Sequence, residues 1–198
     1  MQKRIILPAL VGALLVGACG GRQAQQTGPT PEELAAQARA DSIEAARRAE
    51  EERRRLEEER RRAEEEARRR AEEEARRARE ILAEMVHFDF DKFDIRPSDQ
   101  ETLRRKAMVL RANPDVRVRI VGHADERGSD EYNLALGLRR ANAVRDFLVS
   151  LGLDASRFET ASMGEEQPLV RESNEEAWAM NRRAEFHVTA GQVARTGM

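Results

Sequence analysis

Residues 116–140 read VRVRIVGHADERGSDEYNLALGLRR, and this stretch predicts a β-strand that runs through a short polar loop into an α-helix. Apolar residues alternate with Arg117 and Arg119 at its start, which is typical of a strand with one buried face. Ser129 is placed to cap a helix that we expect from about Asp130 to Leu151. The loop between these elements concentrates charged side chains at one end of the predicted sheet.

Further strand and helix patterns occur before and after residues 116–140. The segment VHFDF at residues 86–90 alternates apolar and polar residues and predicts a strand that includes Phe90. Ser98 and Glu101 have the spacing of a capping box, so a helix should begin there. The predicted buried face of this helix consists of Leu103, Ala107 and Leu110. The predicted buried face of the long helix consists of Leu134, Leu138, Ala141, Val144 and Leu148.

Two more strands are predicted near residues 157–163 and 184–188, separated by a helix that Ser173 and Glu176 would cap. Because these strands have one polar face, helices should cover only one side of the sheet. The order of the elements predicts an α/β fold, an α+β two-layer sandwich in the order βαβαβαβ. We expect this domain to span residues 86–190, with a disordered tail after it at residues 191–198.

Composition changes sharply before this domain. Charged residues make up 36% of the chain and aromatic residues only 4%, and the charged residues are most concentrated between residues 44 and 84. The formal net charge is -2, and aromatic residues do not alternate with basic ones along the chain. The composition therefore does not support binding to nucleic acid.

Residues 31–85 predict one long, charged α-helix that follows a flexible tether at residues 19–30. Thr30 and Glu33 have the spacing of a capping box. Glutamate precedes arginine by four residues in the pairs Glu44–Arg48, Glu51–Arg55, Glu58–Arg62, Glu65–Arg69 and Glu73–Arg77. Such pairs stabilise a single helix without a core, and this helix would extend about 80 Å as a spacer. A coiled coil is the alternative, because heptad spacing relates Ala49, Leu56 and Ala63.

Residues 1–18 have the pattern of an export signal, with two basic residues before an apolar run at residues 5–16 that is too short to span a bilayer. Cys19 is the only cysteine, and with the preceding VGA it resembles a bacterial lipobox. That resemblance implies a lipoprotein signal peptide and a lipid on Cys19. Gly20, where aspartate would imply retention at the inner membrane, implies sorting to the outer membrane. A permanent transmembrane anchor is the alternative.

The polar loop and the long helix together predict a small cleft. Asn133, Gly137 and Arg140 recur at helical spacing and share one face of the helix, while Asp125 lies in the loop before it. Asp125 and Arg140 would therefore border the cleft from two sides. A simple surface ion pair between them is the alternative.

Catalysis is not supported by the residues of the loop. Ser129 is the only hydroxyl there, and it is better placed as a helix cap than as a nucleophile beside a base. His123 and Asp125 would supply only two metal ligands, and the other two histidines, His87 and His187, are predicted to point away on strands. We therefore expect no enzyme activity, no metal and no cofactor.

Four motifs carry a resemblance to a known family: FDFDKFDIRP at 88–97, GHADERGSDEYNLALGLRRANAV at 122–144, SMGEEQP at 162–168 and NRRAEF at 181–186. In residue type, spacing and order they resemble the OmpA-like peptidoglycan-binding domains, and the lipobox points to the lipoprotein members of that family. The resemblance covers about half of the chain, from Val86 to Val188. The regular ion-paired helix departs from it, because those lipoproteins have a shorter linker.

The resemblance implies a binding site for the peptide stem of peptidoglycan, centred on meso-diaminopimelate. Asp125 would accept hydrogen bonds from the ammonium of this residue, and Arg140 would hold its carboxylate through two parallel bonds. By their positions in the family's motifs, Phe90 and Asp91 would form the other wall of the site. Arg127 and Asn133 would be supporting polar groups, and Leu136 would form the floor. Arg182 and Arg183 would hold the last helix and strand in place.

The family's properties imply a lipoprotein of the outer membrane, facing the periplasm of a diderm bacterium, that ties membrane to cell wall. They also imply a role in the Tol-Pal system, which serves envelope integrity and cell division, with the periplasmic protein TolB as a candidate partner. Two alternatives use the same domain: the wall anchor of a stator-type motor, which requires a transmembrane helix, and an OmpA-like anchor outside the Tol-Pal system.

Overall fold

The computed structural model describes residues 28–198, and both the predicted signal and Cys19 lie outside this range. The elements in chain order are α1 (Pro31–Ala83), β1 (Val86–His87), α2 (Pro97–Ala112), β2 (Arg117–His123), α3 (Asp130–Ser150), a 3₁₀ turn (Ala155–Arg157), β3 (Phe158–Gly164), α4 (Glu175–Asn181) and β4 (Arg183–Ala190). None of the helices in the described range is both long and apolar enough to cross a membrane.

The four strands form one mixed sheet in the order β1-β4-β2-β3. The central strand β2 is parallel to β3 and antiparallel to β4, so Ile120 lies between Thr160 and Phe186. Val118 and Ile120 are buried while Arg119 on the opposite face is exposed, and α3 packs against both β2 and β3. The predicted α/β fold is confirmed.

The predicted start of the domain is wrong in two details. Strand β1 has only two residues, and Phe90 lies in the turn that follows it. Helix α2 begins at Pro97, with Arg96 as an N-cap that makes no side-chain cap bond, so the capping box of Ser98 and Glu101 is absent. Proline suits the first helical position, and it replaces the predicted start. The inward residues of α2 are confirmed as Leu103, Ala107 and Leu110.

The first half of α3 turns a different face to the sheet than predicted. The confirmed core residues are Ala141, Val144 and Leu148. Leu134 and Leu138, however, are 49% and 41% exposed. Gly137 explains the difference, because a Cβ there would come within 2.8 Å of the carbonyl oxygen of Gly122. The helix therefore packs closely against β2 at this glycine, and Asn133, Gly137 and Arg140 take the inward positions.

Helix α4 is capped one residue later than predicted. The side chain of Asn174 accepts a hydrogen bond from the backbone N–H of Ala177 over 2.9 Å, so Ser173 and Glu176 do not form the expected capping box. Asparagine is as good an N-cap as serine, and it lies closer to the first helical residue.

The hydrophobic core extends beyond the predicted domain. Residues 57–198 form one compact unit, and its core includes Ala78, Ile81 and Leu82 from the last turns of α1. The buried ammonium of Lys106 in α2 donates to the carbonyl oxygens of Ile81 and Leu82 over 2.8 and 2.6 Å. Carbonyls at the end of a helix have no partner within it, so Lys106 satisfies two of them. The last turns of α1 therefore fold with the domain.

The cap and most ion pairs of α1 are as predicted. The backbone N–H of Thr30 donates to Glu33 Oε2 over 2.7 Å, and the N–H of Glu33 donates to Thr30 Oγ1 over 3.3 Å. Glu65 and Arg69 do not pair in the described part of the chain. The four predicted pairs that form are Glu44–Arg48, Glu51–Arg55, Glu58–Arg62 and Glu73–Arg77. All are exposed, so their contribution to helix stability falls as salt rises.

The residues after Gly191 have defined contacts, in contrast to the predicted disordered tail. The side chain of Asn113 accepts from the N–H groups of Ala194 and Arg195 over 2.9 and 3.2 Å, and it donates to the carbonyl of Arg195 over 2.7 Å. Val193 joins the hydrophobic core. One asparagine at the end of α2 thus holds the tail against the domain.

Candidate binding cleft

A cleft of about 240 Å³ lies at the end of the sheet where β2 leads into α3. Its lining contains all seven residues that the sequence assigned to the site, together with three others. The lining residues are Phe90, Asp91, Ala124, Asp125, Arg127, Gly128, Tyr132, Asn133, Leu136 and Arg140. The site residues thus meet at one place, although they come from two distant stretches of sequence.

Local structure explains how these stretches meet. Ser129 caps α3 as predicted, with its side chain accepting from the N–H of Tyr132, so the polar loop ends where the helix begins. From that point Asn133, Leu136 and Arg140 follow on the inward face of α3. The opposite wall is the turn after β1, where Asp91 has a left-handed φ of 55° that aspartate tolerates better than most residues. The Tyr132 hydroxyl donates to Asp91 and links the two walls.

Arg140 is more strongly engaged within the protein than predicted. It is fully buried, and its Nε, NH1 and NH2 atoms donate to the carbonyls of Lys92, His123 and Asp89 over 2.9, 2.7 and 3.2 Å. Burial lowers the pKa of Arg140 to about 10, so it stays protonated at neutral pH. Three of the five N–H groups of its guanidinium are used, and two remain for other partners. Arg140 therefore holds the two walls together as well as lining the cleft.

Asp125 is also paired within the protein. Its Oδ1 accepts from the backbone N–H and Nε of Arg127 over 3.2 and 3.1 Å. Its Oδ2 accepts from NH2 of Arg127 and NH1 of Arg182 over 2.8 and 3.1 Å. Burial raises the pKa of Asp125, but the hydrogen bonds from Arg127 and Arg182 outweigh it and hold the pKa below its usual value. The carboxylate is therefore ionised, and any ligand cation has to displace one of these partners.

Arg127 is the more exposed of the two arginines on Asp125. Its guanidinium lies between the rings of Phe90 and Trp178, with centroids 4.0 and 4.1 Å away. Its side chain is 30% exposed, whereas that of Arg182 is only 7% exposed. Stacking between two rings orients the guanidinium without using its N–H groups. Of the two arginines, Arg127 is therefore the one that a ligand can reach from solvent.

Arg182 has the structural role expected of it. Its Nε, NH1 and NH2 atoms donate to the carbonyl of Phe88, to Asp125 and to Glu175 over 3.0, 3.1 and 2.8 Å. Arg183 similarly donates to Glu185 and to the carbonyls of Asn181 and Gln167. These contacts connect β1, the polar loop and α4.

Two aromatic residues of the site were missed from the sequence. Tyr132 precedes Leu136 by one helical turn, so helical spacing could have placed it in the cleft. Trp178 lies in α4, and no local pattern connects it to Arg127. Long-range packing alone brings that ring to the site.

His123 does not line the cleft, although its motif first suggests chemistry. It is the last residue of β2 and is 1% exposed, and its backbone carbonyl accepts the bond from Arg140. Burial, with a smaller contribution from Arg183, lowers the pKa of His123 to about 4, so the ring is neutral at pH 7. In the described residues no group of three or more His, Cys, Asp or Glu side chains is arranged to hold a metal ion.

The sequence of this domain matches a known protein family. Residues 87–182 match the OmpA family, and the chain belongs to that family through this domain. The relatives that it resembles in particular are peptidoglycan-associated lipoproteins. The one from Agrobacterium fabrum is 48% identical over 103 residues, which are 52% of this chain and 58% of that protein. This chain thus covers less than two thirds of that relative's length.

One solved structure supports the relationship to peptidoglycan-associated lipoproteins, and a second shares the fold. The crystal structure of the peptidoglycan-associated lipoprotein from Burkholderia pseudomallei is similar with a TM-score of 0.52 and 41% identity, covering 53% of this chain and 89% of that one. The C-terminal domain of Helicobacter pylori MotB has a TM-score of 0.50 at 19% identity, covering 54% of this chain and 84% of that one. The second likeness concerns the fold alone.

Proposed function

We propose that the cleft binds the peptide stem of peptidoglycan through meso-diaminopimelate, and that the protein thereby ties the outer membrane to the cell wall without a covalent bond. The names of its relatives support association with peptidoglycan. The observation that carries the more specific proposal is the presence of Asp125 and Arg140 in one cleft of about 240 Å³.

The chemistry of this ligand matches the cleft. The free end of diaminopimelate has an ammonium and a carboxylate on the same carbon, so a receptor needs an anion close to a cation. Asp125 accepts from the ammonium after Arg127 moves away, while Arg182 continues to hold the other side of the carboxylate. The two remaining N–H groups of Arg140 donate to the ligand carboxylate.

The membrane end of the link is Cys19, which lies outside the described residues. Its lipobox supports modification with lipid, and two or more acyl chains anchor a protein stably where one does not. Metabolic labelling with palmitate tests this part of the proposal. The label should enter the wild-type protein and be absent from Cys19→Ser, and a labelled Cys19→Ser protein would refute the lipobox.

The protein acts as a binding module and not as an enzyme in this proposal. Among the residues that line the cleft there is no serine, threonine, cysteine or lysine to serve as a nucleophile. Incubation of the pure protein with muropeptides should leave them intact, and any cleavage product would contradict this role. We further propose TolB as a partner in the Tol-Pal system. TolB should then compete with isolated sacculi for the protein.

Asp125→Asn tests the site most directly. This change removes the charge that the ligand ammonium needs while preserving the size of the side chain. Asp130→Asn is a matched control, because Asp130 is an exposed acid in the first turn of α3. Co-sedimentation with purified sacculi should be lost for Asp125→Asn and unchanged for Asp130→Asn, with both proteins folded by circular dichroism. Undiminished co-sedimentation of folded Asp125→Asn would exclude Asp125 from the site.

A further inference from the structure

A second arginine lies at the rim of the cleft, next to Arg140 in the chain. The Cζ atom of Arg139 is 5.7 Å from the ring centroid of Tyr132 and 6.0 Å from that of Phe93. Both rings are large apolar groups left partly open to solvent, with exposures of 43% and 41%. Tyr132 lines the cleft, so this cluster of Arg139, Tyr132 and Phe93 adjoins the proposed diaminopimelate site.

Arg139 differs from the other arginines around the cleft in its partners. Arg127, Arg140 and Arg182 all donate to carboxylates or backbone carbonyls. Among residues 28–198, Arg139 has no ion pair, and its side chain makes no hydrogen bond. The two rings stabilise its guanidinium through their faces, which leaves its N–H groups available. A planar cation with available donors at the edge of a binding cleft is suited to a carboxylate.

We propose that Arg139, supported by Tyr132 and Phe93, is a second subsite that binds a carboxylate on the ligand residue next to diaminopimelate. This inference rests on the proposed function of the cleft. In the stem peptide, diaminopimelate is joined through its amine to the side-chain carboxyl of glutamate, and the α-carboxylate of that glutamate stays free. The two carboxylates of the ligand would then bind to the neighbouring arginines Arg140 and Arg139.

The subsite predicts discrimination between two forms of the stem peptide. Where the α-carboxylate of glutamate is amidated, the ligand loses the charge that Arg139 recognises but keeps its diaminopimelate end. Because Arg139 is exposed, a charge-assisted contact there should change affinity by roughly three- to tenfold, and added salt should weaken it. The Arg140 and Asp125 contacts are the same for both ligands.

Isothermal titration with γ-glutamyl-diaminopimelate and its α-amide tests this inference on the wild type, Arg139→Gln and Arg145→Gln. Arg145 is a control arginine on the same helix, paired with Asp146 and absent from the cleft. The wild type and Arg145→Gln should bind the acid more tightly than the amide, and Arg139→Gln should bind both with the affinity of the amide.

The outcomes separate this inference from the proposed function. Equal affinity of the wild type for acid and amide, or discrimination retained by Arg139→Gln, would overturn the subsite while leaving the cleft's function intact. No binding of either peptide or of free diaminopimelate to the wild type would overturn the proposed function and the subsite with it.

Discussion

Asp125 and Arg182 are 57 positions apart in the chain, yet NH1 of Arg182 donates to Oδ2 of Asp125 over 3.1 Å in the interior of the site. The same guanidinium also donates to the carbonyl of Phe88. Asp125 is therefore held in position from the protein side, independently of Arg127 on its solvent side. In the proposed binding mode a ligand ammonium replaces only Arg127, and the carboxylate does not have to move to receive it.

The displacement of Arg127 should be visible in fluorescence. Trp178 is the only tryptophan in the chain, and its ring lies against the Arg127 guanidinium. We expect diaminopimelate-containing peptide to change the intensity or the emission maximum of Trp178 as Arg127 moves. The change should saturate with ligand in the wild type and be absent in Asp125→Asn. Saturable binding without any change in emission would show that Arg127 keeps its place.

Removing the Arg140 side chain should lower stability as well as binding. Arg140→Ala leaves three carbonyl groups, those of Asp89, Lys92 and His123, without their donor. We expect the free energy of unfolding to fall by about 2–4 kcal/mol, since unsatisfied buried polar groups are costly. Urea denaturation measures this loss. Arg145→Ala is the control, and equal stability of the two variants would contradict the role of Arg140 in joining the walls.

Lys106 should make stability depend on pH above neutrality. Burial, aided by Arg105 and opposed by Glu84, lowers the pKa of Lys106 from 10.5 to about 7. Between these values the unfolded chain binds a proton that the folded protein does not, so the free energy of unfolding should rise with pH. Below pH 7 both states are protonated and this dependence disappears.

Lys106→Met isolates this effect, because it removes the titrating group and keeps an unbranched apolar side chain. Urea denaturation at pH 6, 7, 8 and 9 should show the wild type gaining stability relative to Lys106→Met above pH 7. The gain should approach about 1.4 kcal/mol per pH unit. Parallel curves for the two proteins over this range would show that Lys106 has an ordinary pKa.

Gly137→Ala should disturb the cleft through the packing of α3 on β2. The added methyl would come within 2.8 Å of the carbonyl oxygen of Gly122 and would overlap the hydroxyl of Ser162. The helix has to move away from β2, which shifts Arg140 on the next turn. We expect a lower melting temperature and weaker co-sedimentation with sacculi. Ala135→Gly, at an exposed position of α3, controls for changes in helix propensity, and wild-type behaviour of Gly137→Ala would exclude close packing here.

Most of the fold could be predicted because its signals are local. Strand β2, helix α3 and the Ser129 cap follow from alternation, helical spacing and capping preference over a few residues. Asp125, Asn133 and Arg140 follow from the loop and from helical spacing, and the other four cleft residues follow from the family's motifs, which keep residue type and spacing together. The sequence predicts a strand where the structure has the turn after β1, because Phe90 continues an apolar alternation that the backbone does not follow.

The hydrogen-bond partners of the polar cleft residues could not be predicted, because these partners are distant in sequence. Arg140 binds carbonyls 48 and 51 positions away, and no local pattern encodes those partners. Leu134 and Leu138 were placed inside because helical spacing does not show which glycine touches the sheet. Asp125 and Arg140 were expected to be free for ligand, whereas the folded chain already uses most of their hydrogen-bonding capacity.

The contact between Lys106 and the end of α1 bears on where the stable domain begins. The part of the chain shared with the OmpA family, residues 87–182, omits Ile81 and Leu82, which fill the core and receive the ammonium of Lys106. A protein that kept only the shared part would lose these two core side chains and leave the Lys106 amine without its acceptors. A domain that includes the end of α1 is therefore expected to be more stable than one that begins at the family boundary.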